Sequence, residues 1–589
     1  MNYHPFVVPF CAGTVFLFGT LIFLYIKWIR NLSKNQKKTV RKNIFSLRTI
    51  KAVWETVCEC LFHRKVFKTN LLLGYMHFSL ACGWFLLIVV GFIETSFYSR
   101  NFADVPWMAI FFRYFEDPSL TFTGKYFFNF AMDFLLLFVL SGLFLAFIKR
   151  FYSKIVGLKR TTKHSLYDKI TLTALWCIFP LRLLAESISA GIKNNGGFLT
   201  QSLGNTLSFI PLQQIELPFW WAYSLALCLF FAGMPFTRYM HIFTEILLVF
   251  LRKWGVTEEK NKTGYTNIEL NACSRCGICI DVCPLNTALD IKNIQSVYFI
   301  RDVRHKQLDN KITDNCLMCD RCVNACPVGI ESTKIREIYR KKDDFENKNY
   351  YDFINENPVK TADIIYFAGC MSHLTPNTIE AMKKIFHTAN QTFWFMDKDK
   401  SICCGRPLLQ QGFQQQSAVL RDKNTELIEK SGARLLVTSC PICYQSFTKE
   451  YNLKIEILHH TQYIDRLITN NVIQLKKTDL NIVYHDPCEL GRGCGIYEEP
   501  RRIIRTIGNL LTPQNEKENS VCCGYNLGNT VIELDQQMQI RDNSLKNLTK
   551  TNPNIIVTAC PMCKRAFLHG QKEPVLDVSE LAVNNIAKL

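Results

Sequence analysis

The chain has 589 residues, 25 of them cysteine, and a formal net charge of +19 at pH 7. This length exceeds that of a typical single domain, and 19 of the cysteines follow residue 270 in closely spaced motifs. The clustering excludes a small secreted disulfide scaffold and favours thiolate ligands in a reducing compartment.

The positive charge lies beside apolar segments, which argues against a nucleic-acid-binding protein. Between Lys27 and Lys68 there are twelve Lys or Arg residues and two acidic ones, and between Lys149 and Lys169 there are seven and one. Basic loops next to membrane spans set the orientation of those spans. Membrane topology therefore explains this part of the excess charge.

Residues 1–250 contain five apolar stretches long enough to cross a bilayer as helices, near 6–27, 70–94, 126–148, 168–190 and 218–250. The first has no basic start and no small-residue cleavage site, which favours an anchor over a signal peptide. The basic loops after the first and third stretches indicate a cytoplasmic side, and the loops near 95–125 and 191–217 belong outside. The sequence thus predicts a multi-pass protein of the cytoplasmic (inner) membrane, with its N-terminus outside and everything after Arg252 in the cytoplasm.

Two histidines are predicted inside the membrane, where ionisable residues are functional candidates. His77 in the second stretch and His241 in the fifth are expected at a matched depth of about 10–15 Å from the cytoplasmic side. Such a pair can serve as the axial ligands of a haem b, or can pack as a hydrogen-bonded pair. Arg182 and Glu186 in the fourth stretch fit a propionate partner and a proton group, or an intrahelical ion pair.

The five stretches, His77 and the segment Pro235-Phe-Thr-Arg-Tyr-Met-His241 resemble the cytochrome b subunits of the nitrate reductase gamma type. The membrane subunit of heterodisulfide reductase is a relative of these proteins. The resemblance implies a haem b domain. Gamma-type subunits carry two haems on two histidine pairs, whereas only one well-placed pair is found here. His63 and His164 are predicted to be surface residues at the cytoplasmic edge.

A polar connector, 251–268, leads into a repeated cysteine motif that defines a domain over 251–335. Cys273-x-x-Cys276-x-x-Cys279-x-x-x-Cys283-Pro recurs as Cys316-x-x-Cys319-x-x-Cys322-x-x-x-Cys326-Pro. This is the bacterial-ferredoxin spacing for two [4Fe-4S] clusters, in which the fourth cysteine of each run binds the other cluster. The predicted ligands are Cys273, Cys276, Cys279 and Cys326 for one cubane, and Cys316, Cys319, Cys322 and Cys283 for the other. Zinc is the alternative, but it rarely uses three evenly spaced cysteines followed by Cys-Pro.

Residues 336–361 are densely charged and are predicted to form a linker. An internal repeat follows, with an offset of 118 to 120 residues. Its first copy contains Cys370, Cys403, Cys404, Cys440 and Cys443, and its second contains Cys488, Cys522, Cys523, Cys560 and Cys563.

Short β-branched runs precede several of these cysteines and alternate with helical stretches, for example 377–387 and 418–431. The runs begin at Asp363, Leu435, Asn481 and Ile555. This alternation predicts two tandem α/β domains with mainly parallel sheets, 362–470 and 471–589. The cysteines are then expected beyond the carboxyl ends of the strands. The predicted fold is therefore multidomain: a helical membrane bundle of five helices, a ferredoxin-type module of helical or α+β type, and the two α/β domains.

The repeated pattern of one cysteine, a Cys-Cys-Gly and a Cys-x-x-Cys resembles the cysteine-rich CCG domains of the catalytic subunits of heterodisulfide reductase. Similar domains occur in iron–sulfur subunits of glycolate and lactate oxidases. In heterodisulfide reductase, paired CCG motifs hold non-cubane [4Fe-4S] clusters that split a disulfide in one-electron steps. The resemblance implies one or two such clusters here, with the ten repeated cysteines as catalytic ligands. The alternative is that one set holds zinc or serves only electron transfer.

Four further residues lie near the repeated cysteines. His485 is a proton donor or fixes its loop. Arg406 and Arg492 bind an anionic substrate or tune a cluster potential. Cys494 has no counterpart in the first copy and is an unassigned thiol.

These features together predict a membrane iron–sulfur oxidoreductase that passes electrons between a quinone and a cytoplasmic partner through haem b, two cubanes and the CCG sites. A disulfide as the partner at the CCG sites is implied only by the resemblance to heterodisulfide reductase. The alternative is an electron-transfer and membrane-docking subunit for a separate flavin dehydrogenase of the glycolate or lactate oxidase type. No flavin, nicotinamide or nucleotide motif is found in the chain, which fits both interpretations. A structural zinc adaptor is a third.

Overall fold

The computed structural model of the chain describes residues 3–100, 105–156, 162, 164–340, 342, 354, 358–399 and 402–587. It divides into two compact units, Met1–Gly277 and Ile278–Leu589. The division falls inside the first cysteine run and not near residue 250, where the sequence placed it. The connector belongs with the membrane helices because Gly264 N–H bonds the carbonyl of Asn31 at 2.8 Å and Arg252 pairs with Glu269 at 2.6 Å.

Five helices of the described part of unit 1 are long and apolar enough to cross a membrane. They are Val7–Arg30, Leu71–Ser99, Lys125–Phe151, Leu166–Lys193 and Leu212–Phe236. Many of their large apolar side chains point outward, which suits a lipid environment.

The fifth predicted span, 218–250, is not one helix. The helix Leu212–Gly233 ends before two short 3₁₀ turns, Met234–Phe236 and Arg238–Met240, and a separate helix runs over His241–Lys253. Pro235 contributes to the break because proline has no N–H to continue the helix. The backbone leaves the helical conformation at Thr237, which is extended (φ −113°, ψ −178°). His241 is thus the first residue of a new helix and does not lie ten residues within a span.

Shorter helices connect the spans of unit 1. They are Lys34–Asn43, Leu47–Thr56, Arg64–Thr69, Phe112–Phe115, Phe198–Thr206 and Gly264–Asn271, with a π-helical turn at Val57–Leu61 and 3₁₀ turns at Ser153–Val156 and Leu207–Phe209. Residues 101–104 of the predicted outer loop and residues 157–161 and 163 of the second basic loop lie outside the described residues.

Unit 2 begins with short helices around the cysteine motif. They are Ile278–Asp281, Pro284–Thr287, Ser296–Arg304, Asn310–Asp314, Arg321–Asn324 and Ser332–Tyr339. The predicted linker 336–361 begins within the last of these helices, and most of its remainder lies outside the described residues.

The described part of the cysteine repeat forms two four-stranded parallel sheets. The strands are β1 Ile364–Phe367, β2 Phe393–Phe395, β3 Leu435–Thr438, β4 Glu456–His459, β5 Asn481–His485, β6 Asn509–Leu511, β7 Ile555–Thr558 and β8 Val575–Asp577. Their orders, β2-β1-β3-β4 and β6-β5-β7-β8, are the same. Every pairing is parallel, which confirms the predicted parallel α/β architecture.

Helices cover both sheets. In the first domain they are Pro376–Thr388, Arg406–Gln411, Gln414–Ser431, Pro441–Lys449 and His460–Thr469, with a 3₁₀ turn at Ser372–Leu374. In the second they are Gly491–Cys494, Glu498–Ile507, Leu534–Thr549, Pro561–Phe567 and Val578–Asn584, with a 3₁₀ turn at Lys517–Asn519.

One buried core joins the two α/β domains. It includes Tyr366 and Val437 from the first sheet and Tyr484 and Val557 from the second. The two repeats therefore fold against each other, and the carboxyl ends of their strands supply the loops that carry the cysteines.

Candidate metal centres

The first cysteines of the dicluster motif are fixed to the membrane helices of unit 1. Arg275, between Cys273 and Cys276, has a left-handed backbone (φ 54°) and pairs with Asp168 at 2.5 Å. The hydroxyl of Thr162 donates to the Arg275 carbonyl at 3.2 Å. Asp168 lies in the first turn of Leu166–Lys193. The loop with the first two predicted ligands is therefore held at the start of the fourth span.

The predicted haem histidines lie at the same end of the spans. His77 is within electrostatic range of His241, Lys149 and Arg238, and Cys276 is within range of the same Lys149. His241 Nδ1 lies 2.7 Å from the Arg238 carbonyl. The structure thus brings both histidines and the first cluster ligands to one end of the bundle.

His63 differs from its prediction as a surface residue. Its ring is half-buried and stacks on that of His77, with centroids 5.3 Å apart and an interplanar angle of 20°. His63 has a left-handed backbone (φ 53°) just before the helix Arg64–Thr69. The sequence placed His63 at the surface because it lies at the predicted cytoplasmic edge of the membrane, and no periodic pattern indicates its contact with His77.

Arg182 and Glu186 form an intrahelical ion pair, with Nε and Oε1 2.8 Å apart and both side chains buried. Of the two interpretations from the sequence, this geometry gives direct support to the ion pair.

Cys283, Cys316, Cys319 and Cys322 are brought together in unit 2. Burial and the three neighbouring thiols raise the pKa of Cys283. The Ser296 hydroxyl donates to Cys322 Sγ at 3.1 Å, and the Met318 N–H donates to Cys316 Sγ at 3.4 Å. Donors aimed at sulfur suit thiolate ligands and tune the potential of a bound cluster. This donor set fits a cubane, and the four residues are those that the motif spacing predicts.

The first CCG domain gathers its five cysteines at the ends of β1 and β3. Cys370 follows β1 and interacts with Cys403, Cys404 and Cys440, and Cys443 contacts Cys404 and Cys440. Hydrogen bonds from Cys370 and Cys404 lower the pKa of Cys403. A thiolate that accepts hydrogen bonds from neighbouring thiols is a suitable ligand for iron.

Gly369 allows this close approach. It has a φ of +88°, and a Cβ built there would lie 2.8 Å from Cys440 Cβ and 3.0 Å from Cys443 Sγ. The Asp397 carboxylate accepts the N–H groups of Gly369 at 2.7 Å and Ala368 at 2.8 Å. Asp397 thus fixes the loop before Cys370, a role that sequence reasoning missed because Asp397 lies 27 residues away from that cysteine.

The second CCG domain repeats the arrangement. Cys523 and Cys563 lie with their sulfurs 3.4 Å apart. Cys522 hydrogen-bonds Cys488 and Cys523, and Cys560 hydrogen-bonds Cys563. All five sequence-predicted cysteines of this repeat therefore lie together.

Within the described residues, no three His, Cys, Asp or Glu side chains have the arrangement of a single-ion site. Thiolates that hold a cluster surround several irons and need not converge on one point. The fit to iron–sulfur clusters rests instead on the buried, sulfur-only donor sets.

The thiol groups of unit 2 form a continuous series. Cys319 of the cubane set hydrogen-bonds Cys522 of the second CCG set, and both belong to one buried cluster. Another cysteine of the second CCG set, Cys560, is within electrostatic range of Cys440 of the first CCG set. The order is therefore cubane set, second CCG set, first CCG set.

Arg492 and Arg406 are both occupied by protein groups. Arg492 donates to the carbonyls of Cys319 at 2.7 Å, Ser520 at 3.0 Å and Glu518 at 3.1 Å, and so joins the cubane loop to the second CCG loop. Arg406 is buried with its guanidinium 3.5 Å from Glu337 and 3.9 Å from Glu489. These contacts support an organising role for both arginines over capture of an anionic substrate.

His485 and Cys494 are also buried or half-buried. His485 lies edge-on to Phe567 at 4.8 Å and within electrostatic range of Cys523. Burial lowers the pKa of His485. Burial raises the pKa of Cys494 to about 12, which keeps it a thiol.

Comparisons with known proteins agree with the cysteine geometry. Residues 269–330 match the 4Fe-4S dicluster domain, and residues 364–448 and 482–567 each match the cysteine-rich domain, CCG. The prediction of one dicluster domain followed by two CCG domains is thereby confirmed.

Three relatives cover different shares of the chain. One subunit of the dihydromethanophenazine:CoB–CoM heterodisulfide reductase of Methanosarcina acetivorans is 25% identical over 390 residues, which is 56% of this chain and 95% of the relative. The EtfAB:quinone oxidoreductase of Syntrophomonas wolfei is 23% identical over 501 residues, 65% of this chain and 70% of the relative. A probable iron-sulfur-binding oxidoreductase of Bacillus subtilis, FadF, is 22% identical over 578 residues, 76% of this chain and 80% of the relative. These relatives support the class predicted from the sequence, an iron–sulfur oxidoreductase.

Proposed function

We propose that the chain is a membrane-bound oxidoreductase that carries electrons between the quinone pool and a cytoplasmic reaction partner at its CCG sites. In the proposed direction, a quinol releases two electrons and two protons at the membrane unit. Reduction of a disulfide to two thiols at the CCG sites consumes two of each. The haem and the iron–sulfur clusters supply one-electron transfer when bound, and the protein supplies their spacing and surroundings.

The observation that carries this proposal is the continuous series of thiol groups in unit 2. A cubane set in contact with one CCG set, which is within electrostatic range of the other, is the arrangement that stepwise electron transfer requires. The matches to the dicluster and CCG domains support the same use of these cysteines.

The arrangement of the membrane unit supports the proposed quinone end of the electron-transfer route. His77, His241 and the loop of Cys273 and Cys276 lie at one end of the five spans. The basic loop after the first span belongs to the side predicted to be cytoplasmic, and we place the cysteines on that side. We assign His77 and His241 to a haem b, with His63 as a second candidate partner of His77.

The proposed ligand roles follow the sequence. One cubane is held by Cys273, Cys276, Cys279 and Cys326, and the other by Cys283, Cys316, Cys319 and Cys322. The ten repeated cysteines hold the CCG clusters, and His485, beside Cys523, is the proposed proton donor.

An anaerobic visible difference spectrum of the detergent-purified chain tests the membrane part. Addition of a menaquinol analogue should give a reduced haem b band. His77→Ala should abolish the band, and His63→Ala compared with His241→Ala identifies the second ligand. Absence of haem after expression with adequate haem supply would refute the cytochrome assignment and leave the spans as an anchor.

The order of the thiol groups gives a test of the cytoplasmic part. Cys522→Ser, next to Cys319, should prevent reduction of both CCG sites by electrons from the cubanes. Cys404→Ser should remove only the signal of the first site. Electron paramagnetic resonance of each variant during stepwise reduction separates the two outcomes, and equal effects of the two variants would contradict the order.

A second candidate function is electron transfer to a separate protein instead of a small disulfide. The observation that favours it is the similarity to EtfAB:quinone oxidoreductase, whose name gives a protein and a quinone as its two partners and which matches 65% of this chain. The purified chain would then fail to reduce disulfides with quinol but would exchange electrons with a co-purifying flavoprotein. Disulfide reduction by the chain alone would exclude this candidate.

A further inference from the structure

Two helices of unit 1 lie between the first and second membrane spans. The first span ends at Arg30, the helix Lys34–Asn43 follows, and then the helix Leu47–Thr56. The second span begins at Leu71. Since both ends of this segment are attached to spans, the two helices lie near the membrane surface on one side. We refer to them as the basic helix and the interfacial helix.

The interfacial helix exposes an apolar stripe. The exposed fractions are 75% for Leu47, 67% for Ile50, 51% for Val53 and 66% for Trp54, and Phe45 just before the helix is 98% exposed. Leu47, Ile50 and Trp54 are spaced by three and four residues and so share one face. A contiguous exposed stripe of large apolar side chains marks a binding surface.

The opposite face of the interfacial helix is already packed. Ala52 is fully buried, and the Trp254 indole donates to the Thr49 hydroxyl at 2.9 Å. Just before the helix, Asn43 donates to the Trp254 carbonyl at 2.8 Å. The helix is therefore held against the end of His241–Lys253, with its apolar stripe pointing away from that contact.

The charge beside the stripe indicates what it meets. Residues 31–54 contain seven Lys or Arg residues and no Asp or Glu. Six of the seven are exposed: Lys34, Lys38, Arg41, Lys42, Arg48 and Lys51. Apolar side chains with tryptophan on one face and a basic polar face are the features of helices that lie in a membrane interface and attract anionic lipids.

We propose that the interfacial helix inserts Phe45, Leu47, Ile50 and Trp54 between lipid headgroups, while the neighbouring Lys and Arg side chains bind anionic phospholipids. This inference rests on the placement of the five spans in a membrane and is independent of the redox chemistry. The occupant is a lipid surface, because the stripe is tethered to two spans and the exposed charges beside it are basic. Glu55, the one acidic residue of the two helices, is paired with Arg64, Lys65 and Lys253.

Lipid binding at this surface would also affect the connector to the cluster domain, because the connector packs on the basic helix. Gln36 of the basic helix donates to the Thr257 carbonyl at 2.9 Å, and the Ser33 hydroxyl bonds Glu259 at 2.6 Å. A Cβ at Gly264 would lie 1.9 Å from the Trp28 carbonyl. Residues 254–264, which lead to Cys273, are thus packed on the basic helix and the end of the first span. Anionic lipid is expected to stabilise this connector.

The first test measures the position of Trp54 in the full chain reconstituted in nanodiscs. The difference in tryptophan fluorescence between the unmodified chain and Trp54→Phe gives the emission of Trp54. Lipids brominated near the headgroup should quench this emission. Trp220 is fully buried and serves as the control. Its emission, obtained in the same way from Trp220→Phe, should not be quenched. Absence of quenching of Trp54 would overturn the proposal and would leave the stripe as a surface for a protein partner.

The second test measures anionic lipid binding. Lys34, Lys38, Arg41 and Lys42 are changed together to Gln, and retained phosphatidylglycerol is compared with phosphatidylcholine by native mass spectrometry. At about fivefold per cation near a charged surface, the affinity for phosphatidylglycerol should fall at least tenfold while that for phosphatidylcholine stays the same.

The matched control removes the same charge from exposed lysines of unit 2: Lys384, Lys398, Lys454 and Lys572. This variant should keep phosphatidylglycerol affinity at the level of the unmodified chain. An equal loss in both variants would show a general charge effect and would refute a specific lipid surface. Haem and iron contents should stay unchanged in both, which separates this test from that of the proposed function.

Discussion

Substitution of Gly369 tests whether the first CCG site depends on close approach of the backbone to its cysteines. In Gly369→Ala the new Cβ would lie 2.8 Å from Cys440 Cβ and 3.0 Å from Cys443 Sγ. Alanine in a left-handed conformation costs about 1–2 kcal/mol, and overpacking of a buried site adds about 1–3 kcal/mol. The sum, about 2–5 kcal/mol, exceeds the cost of the backbone conformation alone.

Gly432→Ala is the matched control. Gly432 lies in the same domain with a φ of +69°, but a Cβ there meets nothing within 4 Å. This variant should therefore carry only the conformational cost of about 1–2 kcal/mol. The difference between the variants isolates the contact with the cysteines.

The assay combines iron content and thermal melting of the anaerobically purified full chain. Gly369→Ala should lose the about four irons of one [4Fe-4S] cluster, while Gly432→Ala keeps them. At about 2–4 °C per kcal/mol for a unit of this size, the apparent Tm of Gly369→Ala should lie several degrees below that of the control. Equal iron and equal melting in the two variants would refute the reasoning.

Three further predictions concern residues outside the ligand sets. Asp397→Ala should lower stability by about 2–4 kcal/mol, because two buried N–H groups lose their acceptor; urea unfolding measures this, and Asp399→Ala at an exposed position should have no comparable effect. Cys494→Ser should leave iron content unchanged, and loss of iron would make Cys494 a ligand. Burial and the neighbouring Glu269 carboxylate raise the pKa of Glu258, against a hydrogen bond from Thr266 that lowers it. Its contribution to stability is then complete below the ordinary value of 4.5 and is lost as the pH rises. Glu258→Gln should flatten thermal stability between about pH 5 and about pH 8, and an unchanged slope would contradict the assignment.

The cytoplasmic fold could be predicted from the sequence because its signals are local. The β-branched runs 364–367, 435–438, 481–484 and 555–558 form strands almost as predicted, and each lies just before a cysteine. The repeat offset implied equal topology, which the two strand orders show. Cysteine spacing alone also grouped Cys283 with the second run, and the structure brings these residues together.

The membrane unit was less predictable because a continuously apolar sequence does not show where a helix is interrupted. Residues 218–250 stay apolar enough to resemble one span, and Pro235 was the available signal for the break. The stacking of His63 on His77 depends on a left-handed residue and on tertiary packing, neither of which leaves a periodic pattern. The amphipathic pattern of residues 45–54 is visible in the sequence. That its apolar side chains are exposed follows only from the structure, in which the opposite face of the helix packs on Trp254.

The two CCG domains share one topology but have different surroundings, and this difference assigns them different roles in the proposed route. The contact with the cubane set belongs to Cys522 of the second domain, whereas the first domain faces the second through Cys440. The position before the first cysteine also differs, with Gly369 in one copy and Pro487 in the other. The two similar scaffolds thus have different neighbours, and in the proposed route the second domain is the entry point for electrons. The first domain is then the proposed end of the series, where reduction of a reaction partner would not interrupt transfer between the other sites.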